Sequence, residues 1–179
     1  MNGGFLLLPF FAVRFLLLSA LNREAVPRAA RFAPMEGREK AAYCVYQLSN
    51  AGIFLSLFFL PVKTGRAPLF CLGLLCYLLG LALCAASVVD FSSPDSTGLN
   101  TRGLYQFSRN PMYGAYFVCF VGMALLTRSL VLLGMVLAFQ VSAHWIILAE
   151  ERWCLKKFGD AYAQYSRRVR RYIGRYRPS

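Results

Sequence analysis

The sequence predicts an all-α integral membrane protein with five transmembrane helices, and three observations carry that reading. Of its 179 residues, 58% are apolar and only 16% charged, whereas soluble domains carry roughly a quarter charged residues. The apolar residues fall into five runs close to the roughly 20 residues that a helical crossing of a bilayer needs. Apart from Arg14, the formal net charge of +12 is carried by the loops and the C-terminal segment. No stretch remains for a separate soluble domain, so residues 1–179 read as one membrane domain.

The first run, 3–21, has no basic residues ahead of it and holds Arg14 in its middle, so it looks unlike a cleaved signal and reads as a retained helix. The runs 43–62, 67–89, 111–127 and 129–149 contain no Lys, Arg, Asp or Glu. The fourth of the five is short and meets the fifth through Arg128 alone, which predicts a tight helical hairpin that tilts or thins the bilayer. Sixteen basic residues lie in 22–42, 90–110 and the tail, against Lys63, Arg66 and Arg128 in the opposite loops. The positive-inside rule then puts the C-terminus and the functional face on the cytoplasmic side and the N-terminus outside.

In the tail, Leu155, Phe158, Tyr162, Tyr165, Val169 and Tyr172 recur at helical spacing, with Lys and Arg off the stripe. An amphipathic basic helix over 155–173, lying on anionic lipid headgroups, is expected, with Gly159 marking a bend. Lipid headgroups explain the basic clusters better than nucleic acid does. Six cysteines without a C-x-x-C pair read as small core residues, and the single histidine, His144, reads as a hydrogen-bonded core residue; a metal site is not expected. There is no G-x-G-x-x-G turn of the dinucleotide-binding type.

Chemistry concentrates where three polar elements share one membrane face: 99–105, 108–113 and Glu150-Glu151. Asn110-Pro111 has a plain structural explanation as a helix N-cap followed by proline. Arg109 fits that less well, because a cation at a helix N-terminus opposes the dipole unless an anion lies between. Glu150 and Glu151 near a helix's far end pose the mirror problem, which Arg152, Lys156 and Lys157 would relieve by neutralising a solvated pair. Alternatively the carboxylates accept hydrogen bonds from a ligand with hydroxyls or a positive centre, while its anionic end meets Arg109 and the helix N-terminus.

The string Gly103-Leu-Tyr105-Gln-Phe-Ser-Arg109-Asn110-Pro111-Met112-Tyr113, then a helical hairpin, then Glu150-Glu151-Arg-Trp-Cys-Leu155-Lys-Lys-Phe158-Gly159-Asp-Ala-Tyr162-Ala-Gln-Tyr165, resembles the C-terminal signature of the isoprenylcysteine carboxyl methyltransferase and phospholipid methyltransferase superfamily. The resemblance covers 99–165 in order. It implies a membrane enzyme with a cytoplasmic-side pocket that takes S-adenosyl-L-methionine from the cytosol and a lipid-like amphiphile from the bilayer. By the same resemblance Leu99, Asn100, Tyr105, Asn110, Pro111, Met112, Tyr113 and Glu150 contact the cofactor. The resemblance assigns no catalytic group; the candidates, from their place among the polar elements, are Arg109, Glu150 and Glu151, and an amine acceptor could lose its proton to Glu150, Glu151 or His144. Two positions depart from the prenylcysteine enzymes. Asn110 replaces a histidine, and Ile146 replaces the arginine one turn before the first glutamate that is associated with the substrate carboxylate. With no basic residue between Arg128 and Arg152, an anionic acceptor would have to reach Arg109 or the tail, so a neutral or amine-bearing headgroup is expected. The other readings are a nicotinamide-dependent sterol reductase-like protein and a non-catalytic membrane adaptor; the oligomeric state stays open.

Overall fold

In a bilayer the backbone finds no hydrogen-bond partner but itself, so long apolar runs close their bonds as helices. The structure, a computed structural model, describes residues 1–65 and 67–174; Arg66, Arg175 and Arg177 of the basic residues counted above lie outside the described residues. Helix α1 spans Gly3–Leu21 and contains a π-helical segment at Ala12–Leu17. It is followed by α2 (Ala25–Ala30), α3 (Arg38–Phe59), α4 (Ala67–Ser92), a 3-10 turn (Gly103–Gln106), α5 (Pro111–Thr127), α6 (Leu130–Phe158) and α7 (Asp160–Arg168). Four of these, α1, α3, α4 and α6, are long and apolar enough to cross a membrane, and α5 is apolar but shorter. Large apolar side chains such as Leu48, Phe59, Leu75, Leu130 and Val131 face outward, the arrangement expected where the solvent is lipid.

Several boundaries differ from the sequence expectation. The second long helix occupies Arg38–Phe59 rather than 43–62, because Arg38, Glu39 and Lys40 are good helix formers that hydropathy overlooks. Its end is set by the N-terminus: Gly3 N–H donates to Leu60 O at 2.7 Å and Val62 N–H to Met1 O at 2.9 Å. For the same reason α6 continues past 149 through Glu150, Glu151 and Arg152 to Phe158. The tail is not one helix over 155–173. Leu155 to Phe158 belong to α6, Gly159 takes φ +52° at the break, α7 stops at Arg168, and the chain then folds back so that Arg109 N–H meets Arg170 O at 3.1 Å and Gly174 N–H meets Phe107 O at 2.6 Å.

Helix α4 packs most extensively on α5, and α3 on α6. The α4–α5 contact is backbone on backbone: a Cβ on Gly80 would lie 2.4 Å from the Cys119 backbone, and one on Gly122 would lie 2.4 Å from Tyr77 N. Small residues permit such an approach between helices in lipid, where dispersion must supply the attraction. Helix α1 joins this pair through Tyr77, whose hydroxyl donates to Leu6 O at 2.8 Å. Phe10, Phe54, Phe120, Tyr116, Tyr46 and Phe139 then fill the centre as a continuous aromatic cluster. Cys84 and Cys119 sit in this core as expected, whereas Cys44 and Cys71 are exposed. One end of the bundle holds the N-terminus, residues 60–63 and the Arg128 turn, tied by Lys63 N–H to Leu126 O at 2.9 Å. The other end gathers the segments that carry the polar signature.

Candidate functional site

Three struts hold that end in place. Asn22 Nδ2 donates to Ser92 O at 2.9 Å, linking α1 to α4. Arg152 forms a two-armed pair with Glu39, both contacts at 2.7 Å, linking α6 to α3. Asp90, near the end of α4, accepts Leu104 N–H at 2.8 Å. The last requires glycine at 103: its φ is +55° and a Cβ would lie 2.1 Å from the Asp90 carboxylate.

The loop between α4 and the 3-10 turn is organised by Asp95. Its carboxylate accepts Thr97 N–H at 2.9 Å, Thr97 Oγ1 at 2.5 Å, Leu99 N–H at 3.2 Å and Thr101 Oγ1 at 2.9 Å. Slight burial opposes ionisation, but the hydrogen bonds from Thr97, Thr101 and Leu99 win and hold the carboxyl below its usual range. The order it imposes on Leu99 and Asn100 is therefore present at neutral pH and lost as pH falls through that lowered value.

At the start of α5, Asn110 occupies the N-cap position but makes no capping bond with its side chain. Its Nδ2 instead donates to Arg171 O at 3.2 Å and Glu151 Oε1 at 3.4 Å. The anion beside Arg109 is likewise internal: Arg109 Nη2 lies 3.4 Å from Glu151 Oε1, both side chains only 11% exposed. Arg171 closes on the other oxygen, Nε at 3.1 Å and Nη2 at 3.0 Å. The expected neutralisation of the two glutamates by Arg152, Lys156 and Lys157 is thus corrected. Arg152 serves Glu39, and Glu151 is met by Arg109 and by Arg171, which the fold-back after α7 returns to α6. Glu150 is placed differently, accepting the Tyr113 hydroxyl at 2.9 Å.

These groups surround a cavity of about 310 Å³, within the range of small-molecule sites. Leu99, Asn100, Tyr105, Asn110, Met112, Tyr113 and Glu150 line it, as do Arg109 and Glu151. Pro111, though in the same string, is not among the lining residues and opens α5. His144 lies outside the cavity and meets Tyr172 through its ring nitrogen, so it is a hydrogen-bonded histidine near the surface rather than in the core. No cluster of metal-ligating side chains occurs among the described residues.

Three buried polar atoms around the cavity have no hydrogen-bond partner: Asn100 Oδ1, Arg109 Nε and Arg14 Nη1. Unpaired polar atoms are costly inside a protein, and these three belong to residues that line one cavity. The tyrosines there act as donors. Burial holds the phenols of Tyr105, Tyr162 and Tyr165 far above their ordinary range, and Tyr165 donates to Tyr105 O at 2.7 Å, seating α7 as a cover.

A family model for phospholipid methyltransferases matches residues 68–161, just over half of the chain. The chain belongs to the phospholipid methyltransferase family. The match contains α4 from Pro68 onward, all of α5 and α6 and both glutamates, and it confirms the membrane methyltransferase superfamily that the signature string resembles. Membership makes the protein a membrane methyltransferase of lipids. No curated protein and no solved structure gives a significant match. Sequence reasoning did not find Arg14, Arg28, Tyr46 or Arg171 as neighbours of the cavity or its wall. Arg14 did carry a signal, because a lone charge within an apolar run is a functional candidate by default.

Proposed function

We propose that the protein methylates the amine-bearing or neutral headgroup of a membrane amphiphile, using S-adenosyl-L-methionine bound in the cavity from the cytoplasmic side. The observation that carries this is the convergence of three separated segments, 99–105, 109–113 and Glu150-Glu151, on one cavity with unpaired polar atoms. Those atoms suit the cofactor. Asn100 Oδ1 is a buried acceptor for an amino group or hydroxyl, Glu150 has lone pairs beyond the one that Tyr113 occupies, and Leu99, Met112 and Tyr105 supply apolar and aromatic walls. Bound there, the cofactor supplies an electrophilic methyl group on a sulfonium centre.

The chain's own contribution is to position, dehydrate and deprotonate. An amine nucleophile must lose its proton, and Glu150 is the carboxylate suited to take it, since Glu151 is engaged by Arg109, Asn110 and Arg171. The Tyr113 hydroxyl keeps Glu150 oriented, and α7 with the fold-back segment excludes bulk water. Activity is expected to fall as pH drops, because protonated amine accumulates. Titration in detergent should give binding of S-adenosylhomocysteine and none of NADPH, and labelled cofactor should mark amine lipids in preference to a farnesylated cysteine. Binding of NADPH instead, or methyl ester formation on the prenylcysteine with none on amine lipids, would overturn the reading.

The same reading has five spans, with α5 crossing as the short one, the N-terminus outside, and an active site near basic cytoplasmic segments that favour anionic headgroups. Cysteine-accessibility labelling should report the tail and the Lys63 loop on opposite sides; labelling from one side alone would sink it.

A further inference from the structure

The connection 93–102 between α4 and the 3-10 turn has no helix or strand to hold it, yet Gly98, Leu99 and Asn100 form part of the cavity wall. Its order comes from one residue. Among the described residues, every hydrogen bond made by residues 97–101 runs to Asp95. The backbone closes the turn, Asp95 N–H donating to Leu99 O at 2.8 Å and Gly98 N–H to Asp95 O at 2.9 Å, with Gly98 at φ +85°. The carboxylate divides its oxygens: Oδ1 accepts both Thr97 donors and Leu99 N–H, while Oδ2 accepts Thr101 Oγ1. Asn100 is thereby bracketed, with the neighbour on each side tied to the same carboxylate, and its own Oδ1 is buried without a partner. Asp95 itself does not line the cavity.

We propose that Asp95 is a positioning residue for the cavity: by holding Leu99 and Asn100 in place before the ligand arrives, it sets the affinity for S-adenosyl-L-methionine without touching it. The identity of the ligand rests on the methyltransferase reading above; the hold on the loop does not. A short irregular segment left to itself samples many backbone arrangements, and a ligand that binds one of them must offset the ordering cost with its own contacts. Apparent affinity is reduced to the extent that molecules are not already in the binding arrangement. A carboxylate suits this task because it offers acceptor sites to several donors at once, and hydrogen bonds to an ionised acceptor are stronger than neutral ones. Asp90 plays a different part. Its bond to Leu104 N–H anchors the 3-10 turn beyond the loop and leaves residues 97–101 to Asp95.

Two measurements on the full chain in detergent separate the loop from the ligand. Hydrogen exchange follows the loop alone. The Leu99 amide should be protected in the wild type and exchange about tenfold or more faster in Asp95→Ala. Asp95→Asn should stay close to the wild type, because its amide oxygen keeps the three Oδ1 contacts and its nitrogen can donate to Thr101 Oγ1. Calorimetry with S-adenosylhomocysteine follows the consequence. Asp95→Ala and Asn100→Ala should each weaken binding about tenfold, and Asp95→Asn by no more than about threefold. The double alanine variant should bind no more than about threefold more weakly than Asn100→Ala alone, since Asp95 acts through the residues it holds; a merely structural loss would multiply. Should Asp95→Ala fail to fold, Thr101→Val, which removes the Oδ2 contact alone, replaces it with a severalfold loss and the same non-additivity. Losses that multiply, unchanged S-adenosylhomocysteine affinity in Asp95→Ala, an asparagine variant as weak as the alanine one, or unchanged exchange at Leu99 would each overturn the positioning role. Wild-type protein that binds no S-adenosylhomocysteine, while Leu99 exchange follows Asp95 as stated, would overturn the methyltransferase reading and leave the hold of Asp95 on the loop standing.

Discussion

Exchange of Glu150 for glutamine is expected to abolish most activity while the protein stays folded, and exchange of Glu151 for glutamine is expected to do the reverse. The two neighbours differ in what they touch. Glu150 accepts one hydroxyl, from Tyr113, so its amide analogue keeps that bond but loses the charge and the proton acceptor. S-adenosylhomocysteine affinity should fall about tenfold or more, the effect of losing roughly 1.5–3 kcal/mol of charge-assisted hydrogen bonding. Turnover should fall further at every pH. Glu151 neutralises Arg109 and Arg171 at 3.4 and 3.0 Å, and removing one member of a buried pair strands the other, at about 3–5 kcal/mol. Thermal unfolding in detergent, paired with calorimetry, distinguishes them. Glu150→Gln that binds the ligand as wild type does would remove it from the site, and an undiminished melting temperature for Glu151→Gln would remove the ion pairs from the account of stability.

Gly122→Leu should be the most destabilising single change in the bundle. Its first side-chain carbon would meet the Tyr77 backbone at 2.4 Å, and helix backbone cannot rotate aside as a side chain can. Helices α4 and α5 would have to part, exposing the contact that Gly80 and Cys119 share on the same interface. A loss of about 3 kcal/mol or more is expected, read as a large drop in melting temperature or as protease sensitivity of the α4–α5 pair. Gly134→Leu is the control. Space around that position is open and leucine favours helix over glycine, so its melting temperature should match or slightly exceed the wild type.

Hydropathy and the family signature made much of the molecule legible. A helix over 111–127 is legible in the sequence, because Pro111 starts it and Arg128, the single residue before the next run, ends it in a left-handed conformation at φ 51°. Boundaries failed where charged helix formers extend an apolar run, at Arg38 and again from Glu150 to Phe158. A window that scores transfer to lipid does not register that Glu, Lys and Arg prolong a helix into the headgroup layer. The tail failed for the opposite reason. Its apolar spacing is helical from 155 to 172, but one left-handed glycine and the bonds from Arg170 and Gly174 back to Arg109 and Phe107 outweigh a short helix's weak propensity.

The sequence by itself determined that this is a membrane chain, that it belongs among the lipid methyltransferases, and which three segments carry the polar residues, since composition, run length and local strings are properties of neighbours along the chain. Only the tertiary structure decided which charges meet. Glu151 finds Arg109 and Arg171, Arg152 finds Glu39 more than a hundred positions away, and Arg14 comes to line the same cavity as Glu150 with one donor unused. Coulomb and hydrogen-bond energies depend on a few ångströms of separation, and those separations are set by how glycine-faced and aromatic-faced helices pack, which no local reading of the chain contains.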